Sequence, residues 1–339
     1  MRNDQDVNLA AQTGEVLQYV ADLQDISTEH PERRQVDDAG IAAKLLIREL
    51  ESRLAAVLES HSGQPIVLLS GGVDSIAVAA AAVRLGARPH AITVVTDGAT
   101  DAASATAAAA ALGLTHELIE LTSPQLAELA REAISRLEIS ELWEVSYAIP
   151  LLAVAESLDR LPSVGPILTG AGADAILGGG KTIQNPITSA AAVEEIDRII
   201  RKESAANFRR ERLVPDFYER VIPQYADRFV LLFQTERFWS LCETFAPAAL
   251  FGTRYGQAVD KLCLRLACEQ LLPGESGSLA WAKKSAIQRS AGIMGALAAA
   301  ARTRAAAEPA AQTYTDPMSE DWESVATRLF LALLNAERS

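Results

Sequence analysis

The chain has 339 residues, 49% of them hydrophobic and 22% charged, a balance that excludes wholesale disorder and a fibrous protein. Its 31 basic and 44 acidic residues give a net charge of −13, which disfavours a nucleic-acid partner but not a small nucleotide held by backbone amides and a metal ion. No apolar run is long enough to span a membrane, and three cysteines without CxxC spacing are typical of a reduced, cytoplasmic protein.

In the first half of the chain, the sequence pattern predicts helices and strands in alternation. Apolar residues recur mostly every three or four positions over 41–58, which predicts an amphipathic helix. A short apolar run at 66–69 is typical of a buried parallel strand, and a glycine turn follows it. Further helices are predicted at 76–85, 102–112, 125–137 and 146–158, and further strands at 91–96, 116–121 and 167–169. This alternation predicts an α/β fold with a doubly wound parallel sheet.

From residue 190 onward the pattern is mainly helical, with loops that contain proline. We therefore divide the sequence into a polar N-terminal extension (1–38), an α/β nucleotide-binding region (39–189) and a mainly helical region (190–339) that completes the site. An alanine-rich stretch at 298–312 allows either a helix or a flexible segment.

The sequence Ser-Gly-Gly-Val-Asp-Ser at 70–75 stands between the first predicted strand and the helix after it. Backbone amides and the positive end of the helix dipole then face one small volume, which favours an anion such as phosphate. The two glycines let the backbone approach a ligand, and the two serine hydroxyls can donate to phosphate oxygens. Asp74 is unsuited to bare phosphate and indicates a Mg²⁺ ion that bridges its carboxylate to the phosphates.

These residues resemble the phosphate loop of the PP-loop ATP pyrophosphatase superfamily, whose members cleave ATP between the α and β phosphates and adenylate a substrate. The stretch Thr-Gly-Ala-Gly-Ala-Asp-Ala-Ile-Leu-Gly-Gly at 169–179 resembles the second motif of the asparagine synthetase and β-lactam synthetase branch, as does Glu-Val-Ser-Tyr-Ala-Ile-Pro at 144–150. Weaker likenesses to late arginine and lysine motifs occur at 251–254 and 283–289. The resemblance implies an adenine nucleotide α-hydrolase-like fold.

The same resemblance implies ATP and Mg²⁺ as cofactors and gives roles to single residues. Pyrophosphate is expected on the loop residues Ser70, Gly71, Gly72, Asp74 and Ser75. Mg²⁺ is expected between Asp74 and Asp174, and the nucleotide is expected at Val94, Thr96 and Gly170, with adenine contacted by backbone atoms of the first two. Lys283 or Lys284 is expected to stabilise charge on the phosphates, and for either lysine alone a solvated helix face is an equal alternative.

Two features depart from the family pattern. Ala171 stands where asparagine synthetases have a glutamate and β-lactam synthetases a tyrosine that belongs to the catalytic acid/base pair. Glu144, Glu203 and Tyr147 are candidates for a replacement base, and of these we predict Glu144. The roughly sixty residues ahead of the loop are too few for the glutaminase domain of glutamine-using synthetases, so we expect the amine to come from elsewhere.

The sequence thus predicts an ATP-dependent ligase of specialised metabolism that adenylates a carboxylate, releases pyrophosphate and AMP, and forms an amide-type bond with an amine. The expected partners are these small molecules, free or presented by a carrier protein. The sequence does not decide whether the chain forms a homo-oligomer, and neither a nucleic-acid nor a membrane partner is expected. One alternative is a PP-loop thiolase that modifies tRNA, which the acidic charge and the lack of a cysteine near the loop disfavour. Another is a non-catalytic binding or scaffold subunit, suggested by Ala171 and the eroded late motifs.

Overall fold

The computed structural model describes most of the chain. The described residues are 18–19, 26–97, 99, 101–208, 213–214, 216–282, 291–313 and 315–336. Among them, no helix combines the length and the apolar character that crossing a bilayer requires.

Five parallel strands form the central sheet. In chain order they are β1 (Gln64–Leu68), β2 (His90–Thr96), β3 (His116–Leu121), β4 (Val164–Leu168) and β5 (Phe229–Val230). Their order across the sheet is β3-β2-β1-β4-β5, and every neighbouring pair is parallel. The predicted α/β fold with a parallel sheet is therefore confirmed. All four predicted strands are present, and β5 is an addition that the sequence pattern did not predict.

Helices connect and cover these strands. They are α1 (Ala39–Ser60), α2 (Val73–Arg84), α3 (Asp101–Ala111), α4 (Ser123–Leu137), α5 (Leu142–Asp159), α6 (Ala173–Leu177), α7 (Ala190–Phe208), α8 (Phe217–Val221), α9 (Glu236–Cys242), α10 (Pro247–Leu250), α11 (Leu262–Leu271), α12 (Ile293–Ala306) and α13 (Trp322–Ala336). A small antiparallel hairpin, β6 (Gly252–Arg254) and β7 (Gln257–Val259), precedes α11. The alanine-rich stretch is helical over most of its length, because α12 extends to residue 306.

Apolar helices pack on both faces of the sheet, as a doubly wound fold requires. Side chains alternate between the two faces along each strand: Val67 belongs to one apolar cluster and its neighbour Ile66 to the other. The first cluster takes residues from α1, α2, α3 and α11, and the second from α4, α5, α8 and α12. The first cluster thus joins the predicted α/β region to the region after residue 190, which also supplies β5. The three region boundaries stay a prediction.

The strand order places a crevice between β1 and β4. From β1 the chain moves outward through β2 and β3, and it then returns to the other side of β1 to form β4 and β5. In open parallel sheets, ligands bind outside the carboxyl ends of the strands at such a reversal. Residues 69–72 follow β1 and residues 169–172 follow β4, so both glycine turns lie at this crevice.

Candidate active site

The loop after β1 is closed by its own serines. The Ser70 N–H donates to Ser75 Oγ at 3.0 Å, and this hydroxyl donates to the carbonyl of Ser70 at 2.9 Å. Ser104 on α3 also donates through Oγ to the carbonyl of Gly71 at 3.0 Å, which fixes the tip of the loop. No side chain caps α2 at Gly72, so the N–H groups of its first turn suit an anionic ligand. Pyrophosphate binding by this loop stays a prediction.

The two aspartates that were expected to share a metal lie together, and a lysine joins them. Lys261 Nζ donates to Asp74 Oδ1 and to Asp174 Oδ1, each at 2.6 Å. The Lys261 side chain is 0% exposed and that of Asp74 is 5% exposed, whereas the side chain of Asp174 is 48% exposed. The pair is therefore closed on the Asp74 side and open to solvent on the Asp174 side.

Lys261 is held in place by the residues beside it. It adopts a left-handed backbone conformation, with φ at 49°, immediately before α11. The carboxylate of Asp260 accepts from the Gly180 N–H at 2.6 Å and from Arg265 Nη2 at 3.0 Å. Burial raises the pKa of Asp260, but these two hydrogen bonds and the charge of Lys261 outweigh it and hold the pKa below its usual value. The start of α11 is thereby tied to the glycine turn that follows Asp174.

The residues at this point fit a magnesium ion. Two carboxylate oxygens converge on one cationic nitrogen, and carboxylates are the hard oxygen ligands that Mg²⁺ prefers. Within the described part of the chain, no cluster of three or more His, Cys, Asp or Glu residues forms a metal cage. Magnesium is commonly bound by one or two carboxylates plus substrate phosphates, which is the donor set that this crevice would give.

The other residues expected at the nucleotide lie on the same sheet edge. Gly170 packs against the backbone of Asp74 and Ser75, so the two glycine turns touch. Val94 is half-buried on β2. The Thr96 N–H is already bonded to the carbonyl of Ala291 at 2.8 Å. Any adenine contact by Thr96 would therefore have to use another backbone atom or follow a shift of Ala291. These nucleotide contacts stay predictions.

The candidate bases have different surroundings. Glu144 lies in the first turn of α5, where its N–H donates to the Glu141 carboxylate at 2.9 Å. Glu203 accepts from Lys181 Nζ at 2.7 Å, and the hydroxyl of Tyr147 lies 3.1 Å from that of Tyr218. The assignment of a base stays a prediction for all three.

Lys283 and Lys284 lie outside the described residues, and so does the rest of 283–290. The residues on either side of this stretch are both fixed at the site. Arg265 Nη1 donates to the carbonyl of Ala282 at 3.2 Å, and the carbonyl of Ala291 accepts from Thr96. A phosphate-stabilising role for either lysine stays a prediction.

One cysteine is closer to the loop in space than in sequence. Cys268 is buried on α11, and its pKa is raised by burial and further by the negative charge of Asp74. Cys242 and Cys263 are also buried and free, and burial raises the pKa of Cys263 to about 12. Because the thiolate is the reactive form of cysteine, none of the three is suited to be a nucleophile.

Lys261, whose ammonium group bridges the two aspartates, was not predicted from the sequence. The available signal was a lysine directly before a strongly apolar helix, Leu-Cys-Leu-Arg-Leu-Ala-Cys. A positive charge at a helix N-terminus is opposed by the helix dipole and needs a compensating anion. Only the fold shows that the anion is a pair of aspartates, one of them 187 positions earlier in the chain.

Comparisons with known proteins place this site in a family context. A protein-family model described as asparagine synthase matches residues 50–240, which are more than half of the chain. This range contains Asp74 and Asp174 but not Lys261. Carboxyethyl-arginine beta-lactam-synthase of Streptomyces clavuligerus is 35% identical over 118 residues, which are 34% of this chain and 22% of that protein. The chain thus matches under a quarter of that relative's length. A solved structure of NMN synthetase from Francisella tularensis aligns with 64% of this chain and 99% of its own, at 14% identity and a TM-score of 0.30.

Proposed function

Because the chain belongs to the asparagine synthase family, we propose that it is an ATP-dependent ligase that adenylates a carboxylate and forms an amide-type bond with an amine, in specialised metabolism. The observation that carries this proposal is the convergence of Asp74, within the 70–75 loop, and Asp174 at the crevice between β1 and β4. Metal-binding carboxylates next to open helix N–H groups form a site suited to a nucleoside triphosphate.

The proposed reaction has two steps. A carboxylate oxygen of the substrate attacks the α-phosphorus of ATP, an O–P bond forms, and the bond to the bridging oxygen of the β-phosphate breaks with release of pyrophosphate. The amine nitrogen then attacks the acyl carbon, the C–O bond to AMP breaks, and a base accepts the proton of the amine. The substrate acid and the amine, free or carried by a partner protein, are part of the proposal.

The chain's own residues serve these steps mainly by position and charge. The 70–75 loop binds the leaving pyrophosphate through backbone N–H groups, and Asp74 and Asp174 are the residues that would hold Mg²⁺. When bound, Mg²⁺ offsets the negative charge that grows on the phosphate oxygens as pyrophosphate leaves. Lys283 or Lys284 adds a second cation for the same charge, and Glu144 accepts the proton of the amine.

Two other functions fit the site less well. A thiolase needs a reactive cysteine, whereas all three cysteines of this chain are buried and burial raises the pKa of each thiol. A binding or scaffold subunit is favoured by one observation, Ala171. The N–H of this residue donates to Thr169 Oγ1 at 3.2 Å, and its methyl group cannot transfer a proton.

The test is carboxylate-dependent exchange of labelled pyrophosphate into ATP, run with a panel of carboxylic acids. The wild type should catalyse exchange with at least one acid. Asp74→Asn should lower that exchange by about a hundredfold or more, since loss of one group that stabilises transition-state charge costs about 10²–10³ in rate.

The matched control is Asp216→Asn, which removes an exposed carboxylate paired with Arg220 at 2.9 Å. This variant should exchange pyrophosphate at the wild-type rate. Unchanged exchange in Asp74→Asn would contradict the proposed ligase. Failure of the wild type to bind an ATP analogue with Mg²⁺ in calorimetry would favour the scaffold subunit.

A further inference from the structure

The position of Lys261 raises a question about how a metal enters the site. Its ammonium group contacts one oxygen of each aspartate at 2.6 Å, and these are the oxygens that a divalent cation would seek. A lysine that is 0% exposed is stable only if anions replace the water it has lost, and here Asp74 and Asp174 provide them. The lysine and the metal therefore need the same ligands.

Both cations cannot occupy this point at once. An ammonium and a divalent ion that share two carboxylate oxygens would lie a few ångströms apart, and the enclosed Asp74 side gives little screening of their repulsion. For a metal to bind, the ammonium must release at least one aspartate and find another anion. The phosphates of a bound nucleotide supply that anion in the same crevice.

The backbone around Lys261 is held in place, so this exchange of partners requires only the side chain to move. Asp260 and Arg265 anchor the residues beside it, through bonds of 2.6 Å to the Gly180 N–H and 3.0 Å between their side chains. The four-carbon stem of a lysine can rotate its ammonium while the start of α11 stays fixed.

On the basis of the proposed function, we propose that Lys261 is the resident counter-ion of the Asp74–Asp174 pair and makes metal binding depend on nucleotide. Without nucleotide, Lys261 neutralises one of the two carboxylate charges and keeps divalent ions out. With nucleotide, the ammonium transfers to phosphate and the aspartates become free for the metal. By linkage, nucleotide and metal then raise each other's affinity by the same factor.

The experiment measures Mn²⁺ binding to the nucleotide-free, full-length protein by the loss of the free-ion EPR signal. Lys261→Met removes the charge and keeps an unbranched side chain at a position whose φ is 49°. It should bind Mn²⁺ about tenfold or more tightly than the wild type, because a unit positive charge in contact with the ligands is gone. Lys181→Met is the matched control, since it removes a lysine paired with Glu203 at 2.7 Å, and it should bind Mn²⁺ as the wild type does.

A second arm uses the wild type alone, so that the result does not depend on whether a variant folds. The wild type should gain affinity for the non-hydrolysable analogue α,β-methylene-ATP when Mn²⁺ is added. Saturable binding of micromolar Mn²⁺ by the nucleotide-free wild type would overturn the proposal. Equal Mn²⁺ affinity in folded Lys261→Met and the wild type would overturn it too, and Lys261→Gln replaces the methionine variant if circular dichroism shows that variant unfolded.

Neither arm contains a carboxylic acid or any turnover, so the outcome is separable from that of the ligase proposal. Normal pyrophosphate exchange with unchanged Mn²⁺ affinity in the variant would leave the ligase intact and remove only the role of Lys261. Tighter Mn²⁺ binding in the variant without any exchange would retain Lys261 as counter-ion and remove the ligase.

Discussion

The aspartate pair depends on two glycines at which the backbone comes unusually close to its neighbours. A Cβ atom at Gly170 would lie 2.6 Å from the backbone nitrogen of Ser75, and one at Gly179 would lie 2.0 Å from Asp174 Oδ1. Neither glycine has a positive φ, so the restriction is one of space and not of backbone conformation. The missing side chain at Gly170 lets the two turns approach each other, and the missing side chain at Gly179 leaves room for the Asp174 carboxylate.

We expect Gly170→Ala to push the two turns apart. The added methyl group meets backbone atoms, which cannot move aside as a side-chain tip can, so the variant should lose about 1–3 kcal/mol of unfolding free energy. It should also bind α,β-methylene-ATP more weakly, because the 70–75 loop shifts with Ser75. Urea unfolding and calorimetry measure the two effects.

The control for this substitution is Gly295→Ala in α12, where an added methyl group meets open space. Alanine is the better helix former, so this variant should gain about 0.5–1 kcal/mol and keep its nucleotide affinity. A Gly170→Ala protein with wild-type stability and affinity would show that the close approach of the two turns is unimportant.

At the scale of elements, a buried network of charges joins the segment before α1 to α7 and α9. Asp197 on α7 accepts from Arg34 Nε at 2.8 Å and from Arg201 Nε at 2.9 Å. Arg201 also donates to Glu243 at 2.9 Å, and its guanidinium lies 5.4 Å from the centre of the Trp239 ring. Burial lowers the pKa of Arg34 even though Asp197 opposes this effect. Asp197 thus contacts both buried guanidinium groups, and Glu243 adds a second carboxylate for Arg201.

Asp197→Asn should destabilise the protein strongly. The amide removes the negative charge and leaves two buried arginines without full compensation, a loss of about 3–5 kcal/mol for a broken buried pair. Thermal unfolding followed by circular dichroism measures the change. Asp216→Asn, which affects the exposed pair with Arg220, should leave the unfolding temperature almost unchanged, because solvent screens that pair. Equal costs in the two variants would mean that burial does not determine the strength of the network.

The limits of sequence prediction follow from the length of each element. Strands β1, β2 and β4 were predictable because each contains a buried apolar run between turn residues, and a strand covered on both faces requires such a run. β3 lies at the edge of the sheet, where its polar and apolar residues mix and only Leu121 is buried. β5 has only two residues, Phe229–Val230, and pairs with Ile167 and Leu168 through the tertiary fold. The β6 and β7 strands have three residues each, too few to show an alternating pattern.

At the scale of the whole molecule, the sequence predicted those site residues that directly follow the carboxyl ends of the strands. Carboxyl ends of neighbouring parallel strands meet at one edge, so two glycine turns with an aspartate each can be placed together from sequence. Lys261 could not be placed, because α11 reaches the pair by packing against elements distant in sequence such as α1 and α2, and no periodic pattern encodes that docking. Long-range contacts of this kind require the assembled core.

The excess of acidic residues behind the net charge of −13 makes the stability of the whole molecule depend on pH in acid. Carboxylates whose pKa the fold lowers stabilise the native state only while they are ionised. Glu320 is the clearest case: hydrogen bonds from Arg328 and Thr315 lower its pKa from 4.5 to about 2. Arg328 lies on α13, so this carboxylate fixes the last described helix to the segment before it.

Glu320→Gln should therefore destabilise the protein in a pH-dependent way. Because the native pKa is lowered, the contribution of Glu320 is complete above the ordinary pKa of 4.5 and is lost as the pH falls through about 2. The stability difference between the wild type and Glu320→Gln should be constant at neutral pH and shrink steadily between these two values. Urea unfolding at a series of pH values measures it, with Glu323→Gln, an exposed glutamate on the first turn of α13, as the control. A difference that does not change with pH would show that Glu320 acts through packing and not through its charge.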